Sequence, residues 1–322
     1  MESTAILQKM LLLLMTIAIG FVANKCGAMD APFTSKLSKF LLNVTVPGAL
    51  LSSGMSGDIS FTPVQLLRLF LIAAALFLLM FAFAYAVPLA VRADPDEIGT
   101  YRFLTAFVNT IFMGYPVATA FFGSSAVIYI ALLSLPFNIA VFSVGPMMLS
   151  GKSGKDFSWK SLLNGGTVSS VAALLLILFN IRVPAVISEL CSSVGSATTP
   201  IALIVIGSNL AEMPMRDIFG SGRMYLFSVF RLVVIPFAVW FVFRNFIADP
   251  VILGCTIILG GLPSASMATL VSAKYGGNER LASQGVMLTT LLSAFTIPVV
   301  MTSCSACLRR LILFFKVERC IL

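Results

Sequence analysis

The sequence predicts an all-α integral membrane protein: ten transmembrane helices in two inverted five-helix repeats, with the fourth and ninth broken where they cross. Three observations predict it. Of 322 residues, 59% are hydrophobic and 11% charged, with mean hydropathy +1.02, whereas a soluble domain carries about 25% charged residues. The apolar residues form ten runs, each near the roughly 20 residues that cross a bilayer. Two proline breaks, Gly114-Tyr115-Pro116 and Gly261-Leu262-Pro263, interrupt such runs at an offset of 147 residues.

The first run, 6–23, lacks a basic start and a small-x-small cleavage site, so it reads as a retained span, not a signal peptide. The second, 36–54, contains Asn43-Val44-Thr45, a glycosylation sequon placed where no transferase reaches. The third, 64–91, is long enough to tilt. The fourth, 98–121, begins in the interfacial piece "DPDEIGTYRF" and holds the first break. After the fifth, 124–149, comes "GPMMLSGKSGK", whose glycines are one residue too far apart for a phosphate-binding loop. It reads as the basic connector between a first repeat, 1–150, and a second, 151–322. The sixth and seventh are 160–180 and 185–208. The eighth, 222–243, carries Arg231; the ninth, 250–273, holds the second break; the tenth, 280–304, ends at Cys304 of a lone CxxC, a weak metal or redox signal.

The halves match. At an offset of 153, Ser35, Leu37, Pro47, Ala49, Leu50 and Gly54 meet Ser188, Leu190, Pro200, Ala202, Leu203 and Gly207. Five spans per half is an odd number, so the second copy enters upside down. Inverted repeats with broken helices are the layout of secondary transporters, with the site near the bilayer midplane.

Charge sets the sides. Of 21 basic residues, 12 fall on the side of the odd-numbered connections, 4 on the other side and 4 in the C-terminal tail. The positive-inside rule then places both termini outside and 150–160 in the cytoplasm, in a multi-pass cell membrane protein. The net charge of +8 is spread over short connections, which suits topology and not nucleic acid. With no histidine in the chain, His-based acid–base chemistry, Ser-His-Asp and Cys-His nucleophiles and HExxH zinc sites are excluded, so no enzyme and no metal site are expected.

Proline suits the first position of a helix, where its missing N–H is orphaned anyway. Pro116 and Pro263 are therefore expected to begin half-helices. Two such N-termini, facing each other after inversion, would form a pocket of free N–H groups and partial positive charge, suited to an anion. Around it lie Gly114, Tyr115 and Gly261, then Asn109 with its repeat counterpart Thr256, then Ser264 and Ser266. Asn138 in the fifth span faces a choice between ligand and interhelical hydrogen bond. Arg231 reads either as a counter-ion for an anionic substrate or as a structural residue bonded to backbone carbonyls at a helix break. All 13 acidic residues lie in or near connections, which argues against a cation substrate.

"NTIFMGYPVATAFFG" (109–123) and "GLPSASMATLVSAKYGGNERLASQGVMLTTLLSAFTIPVV" (261–300) resemble the signatures of the auxin efflux carrier family, of bacterial permease type. "LSKFLLNVTVPGALLSS" (37–53) and the Arg231–Pro236 segment resemble it too. The resemblance implies the inverted-repeat fold shared with bile-acid symporters and NhaA-like antiporters. It also implies a homodimer formed through the first, second, sixth and seventh spans, and elevator-type transport of a small organic anion such as a mono- or dicarboxylate or an auxin-like acid. The family's substrate-facing asparagine falls on Asn109 and its crossover prolines on Pro116 and Pro263. The acid–lysine pair that plant exporters carry in the third span has no counterpart, since 69–91 holds no charge. The alternatives are a sodium-coupled symporter of the bile-acid type and a membrane sensor that binds without moving its ligand. No cofactor is expected beyond possible proton or sodium coupling.

Overall fold

The computed structural model describes residues 3–55, 61–150, 165–179, 181, 183–212 and 222–319. The 150–160 connector lies outside the described residues apart from Ser150, as does most of the C-terminal tail's side-chain detail. Among the described residues the chain is helical throughout, and its one β-bridge joins Val108 to Ser264.

The helices are α1 (Ser3–Lys25), α2 (31–55), α3 (Pro63–Ala90), α4 (Ile98–Ala106), α5 (Thr110–Phe122), α6 (Ala126–Ser150), α7 (Gly165–Leu178), α8 (Ala185–Glu212), α9 (Gly222–Phe243), α10 (Pro250–Gly261), α11 (Ala268–Tyr275) and α12 (Glu279–Arg319). Their starts follow local chemistry. Asp30 caps α2 by accepting from Phe33 N–H, and Thr62 and Gln65 close a reciprocal capping box on α3 behind Pro63. Asp249 accepts from the N–H groups of Val251 and Ile252 at the head of α10. Gly276, at φ +80°, ends α11 in the left-handed conformation that glycine adopts without penalty.

Among the described residues, four helices are long and apolar enough to cross a membrane: Val64–Ala90, Ala185–Glu212, Gly222–Phe243 and Glu279–Cys304. A fifth is α6, if its two parts, bent by 48°, are one span. The bend falls at residue 142, whose carbonyl the ring of Pro146 would strike in a straight helix. Length and composition alone therefore yield four or five spans, not the expected ten. The breaks leave α4, α5, α10 and α11 too short to span singly, which accounts for the fourth and ninth of the expected spans.

Three wide π-turns share one cause. They occupy Leu41–Thr45, Thr110–Gly114 and Phe230–Val234, and each ends two residues before a proline: Pro47, Pro116 and Pro236. In a regular turn each proline ring would strike the carbonyl four residues back. The hydrogen bond then reaches five residues back instead, as from Tyr115 N–H to Thr110 O, and the extra residue moves that carbonyl aside.

The helices pack in two sets. In the first, α8 lies against α1 and α2, and α7 against α2. The second is built from α3 to α6 with α9 to α12. The first set closes on glycine. A Cβ on Gly207 would strike the Ile17 carbonyl of α1, and one on Gly20 would strike the Ile204 backbone of α8. Gly195 likewise admits the backbone of Ala49. Such close approach drives helix association in lipid, where burial from water does not.

Candidate functional site

The two breaks pair with each other. Phe107 turns extended after α4 and Leu262 after α10, and Val108 and Ser264 bridge antiparallel. Asn109 N–H donates to Pro263 O at 3.0 Å and Ala265 N–H to Phe107 O at 3.0 Å. Each break thus satisfies backbone groups that the other leaves open, which removes a penalty of several kcal/mol per group in hydrocarbon. The half-helix after the first break opens at Thr110, with Asn109 as its cap accepting from Phe112 N–H at 3.2 Å. This corrects the expectation that Pro116 opens it. Nor does Pro263 open a half-helix: it lies within the second break and supplies an acceptor, while α11 begins at Ala268.

Asn109, 4% exposed, also donates through Nδ2 to Ser266 Oγ at 2.7 Å, joining the head of α5 to the approach to α11. Both side chains line a cavity of about 290 Å³ between the two helix sets. Thr269 adds the first turn of α11, Ser283 and Thr290 come from α12, and Asn209 from α8. Glu212, solvent-exposed and bonded to Asn24 Nδ2 at 3.2 Å, also lines it. The cavity therefore combines the heads of two helices, two amides and several hydroxyls, which suit a carboxylate, with the Glu212 carboxylate as its one acidic group.

The remaining expected residues have other places. Ser264 is fully buried, with Oγ on Leu104 O at 2.8 Å and its N–H on Thr289 Oγ1 at 3.2 Å, so it ties the break down instead of facing the cavity. Thr256 is buried within α10 and bonds Ile252 O. Asn138, half-buried on α6, does not line the cavity. Gly114 packs beneath the Leu262 side chain, and Gly261 against Pro236. Tyr115 and Pro116 line a second cavity of about 450 Å³, bounded by α1, α2 and the N-terminal part of α8. Met113, Val117, Leu203 and Ile297 surround a void of about 10 Å³, at the lower limit for one water. Arg231 is fully buried and donates from Nη1 to Gly260 O at 2.6 Å. The contact seen is a bond to a backbone carbonyl at a helix break, although the break is that of α10 and not the Pro236 kink.

Five polar lining residues escaped the sequence reading: Asn209, Glu212, Thr269, Ser283 and Thr290. A usable signal existed. Ser283, Val286, Met287 and Thr290 follow the spacing of one helical face, as do Ile206, Asn209 and Leu210.

The hydroxyl of Thr289 accepts from Ser264 N–H and donates to Gly285 O. Thr289→Val keeps the shape but orphans a buried N–H, so unfolding in detergent is expected to become easier by about 1–3 kcal/mol, while Thr289→Ser stays near wild type. Equal stability of Val and wild type would mean the bond contributes nothing.

Among known proteins, the model of the family described as "Membrane transport protein" matches residues 5–158 and again 151–301. A "Putative malonate transporter" of Rhizobium meliloti (strain 1021) is 24% identical over 229 residues, covering 68% of this chain and 71% of that one. An "Uncharacterized transporter MJ1031" of Methanocaldococcus jannaschii is 20% identical over 297 residues, covering 89% and 95%. An "Uncharacterized transporter" of Methanothermobacter thermautotrophicus is 22% identical over 300 residues, covering 91% and 96%.

Proposed function

The chain belongs to the membrane transport protein family, and from that premise we propose that it is a secondary transporter of small organic anions. The class comprises mono- and dicarboxylates and auxin-like acids. The observation that carries this reading is the Asn109–Ser266 junction, which lies between two half-helix heads and lines a cavity of about 290 Å³. The name of the Rhizobium relative supports a small carboxylate as the substrate class.

In the mechanism we propose, ten spans form two inverted repeats, with α4 and α5 making the fourth span and α10 and α11 the ninth. Asn109 Nδ2 holds the carboxylate, aided by the partial positive charge at the heads of α5 and α11. The set built on the breaks moves against the set of α1, α2, α7 and α8, in elevator fashion. The two cavities lie towards opposite ends of α8, one lined by its residues 206–212 and the other by 192–199, which fits this alternation. The Asn109 cavity lies at the end where α8 finishes and α12 starts, which the distribution of basic residues assigns to the cytoplasm, with both termini outside. The first set, anchored by its glycine contacts, is the part that stays fixed and joins a second copy in a homodimer.

Proteoliposomes holding the purified chain are expected to take up at least one labelled acid among acetate, lactate, malonate, succinate and indole-3-acetate, with competition by the unlabelled acid. Uptake of none above empty liposomes would overturn the reading.

A further inference from the structure

The C-terminal ends of the two interrupted helices are satisfied differently. At the end of α4, Leu104 O accepts from the Ser264 hydroxyl and Phe103 O from Phe107 N–H. At the end of α10 the helix stops at Gly261, Leu262 turns extended, and Pro263 brings no N–H. The last four carbonyls of a helix lack helical partners and carry its partial negative charge. There Arg231, 0% exposed, reaches across from the π-turn of α9 to Gly260 O. Gly260 and Gly261 make room for this by packing on Val239 and Pro236 of α9.

No acidic side chain pairs with Arg231 among the described residues, where the ion pairs join Arg223 to Asp94 and Glu97. Its Nε and Nη2 have no partner there either. A lone guanidinium with two idle donors is costly in an apolar interior, so packing does not account for it. Its one contact is the negative end of an interrupted helix, the kind of place where broken-helix carriers hold a coupling cation.

We infer that Arg231 is a built-in cation that takes the place of a mobile coupling ion at the carboxyl end of α10, so that anion binding at the crossing needs no sodium. The inference rests on the anion-transport reading for what it says about substrate, but not for what it says about the ion.

The test is thermal unfolding of the purified chain in sodium, potassium or choline chloride at equal ionic strength, without and with malonate, acetate or indole-3-acetate. Wild type is expected to melt at the same temperature in all three salts and to gain the same shift from a binding acid. A saturable, sodium-specific rise in melting temperature, or an acid-induced shift seen only in sodium, overturns the inference. Should no acid shift wild type in any salt, the anion reading fails while the salt comparison still decides the role of Arg231. Arg231→Gln is expected to bind the acid at least tenfold more weakly in choline and to recover with methylguanidinium, but not with tetramethylammonium. Arg231→Lys is expected to keep binding within a few fold in choline. Unaltered affinity of Arg231→Gln in choline, or sodium dependence in Arg231→Lys, contradicts the built-in cation. If Arg231→Gln does not fold, the wild-type and Lys arms still decide.

Discussion

Asn109→Asp is expected to leave a folded protein that no longer binds its carboxylate. Asn109 does three things at once: its Oδ1 caps α5 at Phe112 N–H, its N–H reaches Pro263 O, and its Nδ2 reaches Ser266 Oγ. Aspartate keeps the first two, and its charge suits a helix N-terminus. It removes the Nδ2 donor and sets a negative charge where the substrate's own would rest. Asn109→Ala separates the effects differently. It is expected to lose about 1 kcal/mol of stability with the cap. It also loses a hydrogen bond to a charged group, worth roughly 1.5–3 kcal/mol, or a ten- to hundredfold weaker affinity. Titration calorimetry or thermal shift with the same acid on all three forms measures both terms. An Asp variant that binds as wild type would remove Asn109 from the site.

The second large effect concerns folding and lies far from the site. Gly207→Leu is expected to yield almost no monodisperse protein on size exclusion. A side chain there meets the Ile17 carbonyl and the Phe21 N–H of α1, and backbone atoms cannot rotate away as a side chain can. Overpacking of a core commonly costs 1–3 kcal/mol where neighbours can give. Here α1 must be pushed off α8 along a whole crossing, so the loss exceeds that range. Gly20→Leu should behave alike, because its partner is the Ile204 backbone on the facing helix. Gly222→Leu, with open space around its Cβ position, is the control expected to behave as wild type. A stable, monodisperse Gly207→Leu would show that the α1–α8 contact is looser than described.

Proline explains both what the sequence made legible and what it hid. A ring without an N–H inside an apolar run marks a break, and the repetition of Gly-x-Pro after 147 residues marks the pair of breaks. The same residue misled on where the half-helix begins. A proline at the first helical position and one just after a π-turn look alike in a sequence, because both reflect a missing donor. The structure shows the second case for Pro116, seven residues beyond the asparagine that caps α5. Ser266 was legible because it follows the break directly. Asn209, Ser283 and Thr290 were not, since single polar residues in membrane helices usually bond to neighbouring helices, and only three-dimensional packing aims them at one cavity. Arg231 shows the same limit: its burial followed from its place in an apolar run, but its partner, Gly260, lies 29 residues away on another helix.

The central claim is that the crossing recognises a negative charge, not merely a small polar molecule. The most direct test is the thermal shift of the purified wild-type chain with matched pairs of acid and neutral amide: acetate and acetamide, malonate and malonamide, indole-3-acetate and its amide. A ligand that binds the folded state raises its apparent stability in proportion to the logarithm of its concentration over Kd. The account predicts that at least one acid raises the melting temperature in a saturable way while its amide, equal in size and similar in shape, does not. Equal shifts from acid and amide, or none from any acid, would contradict it.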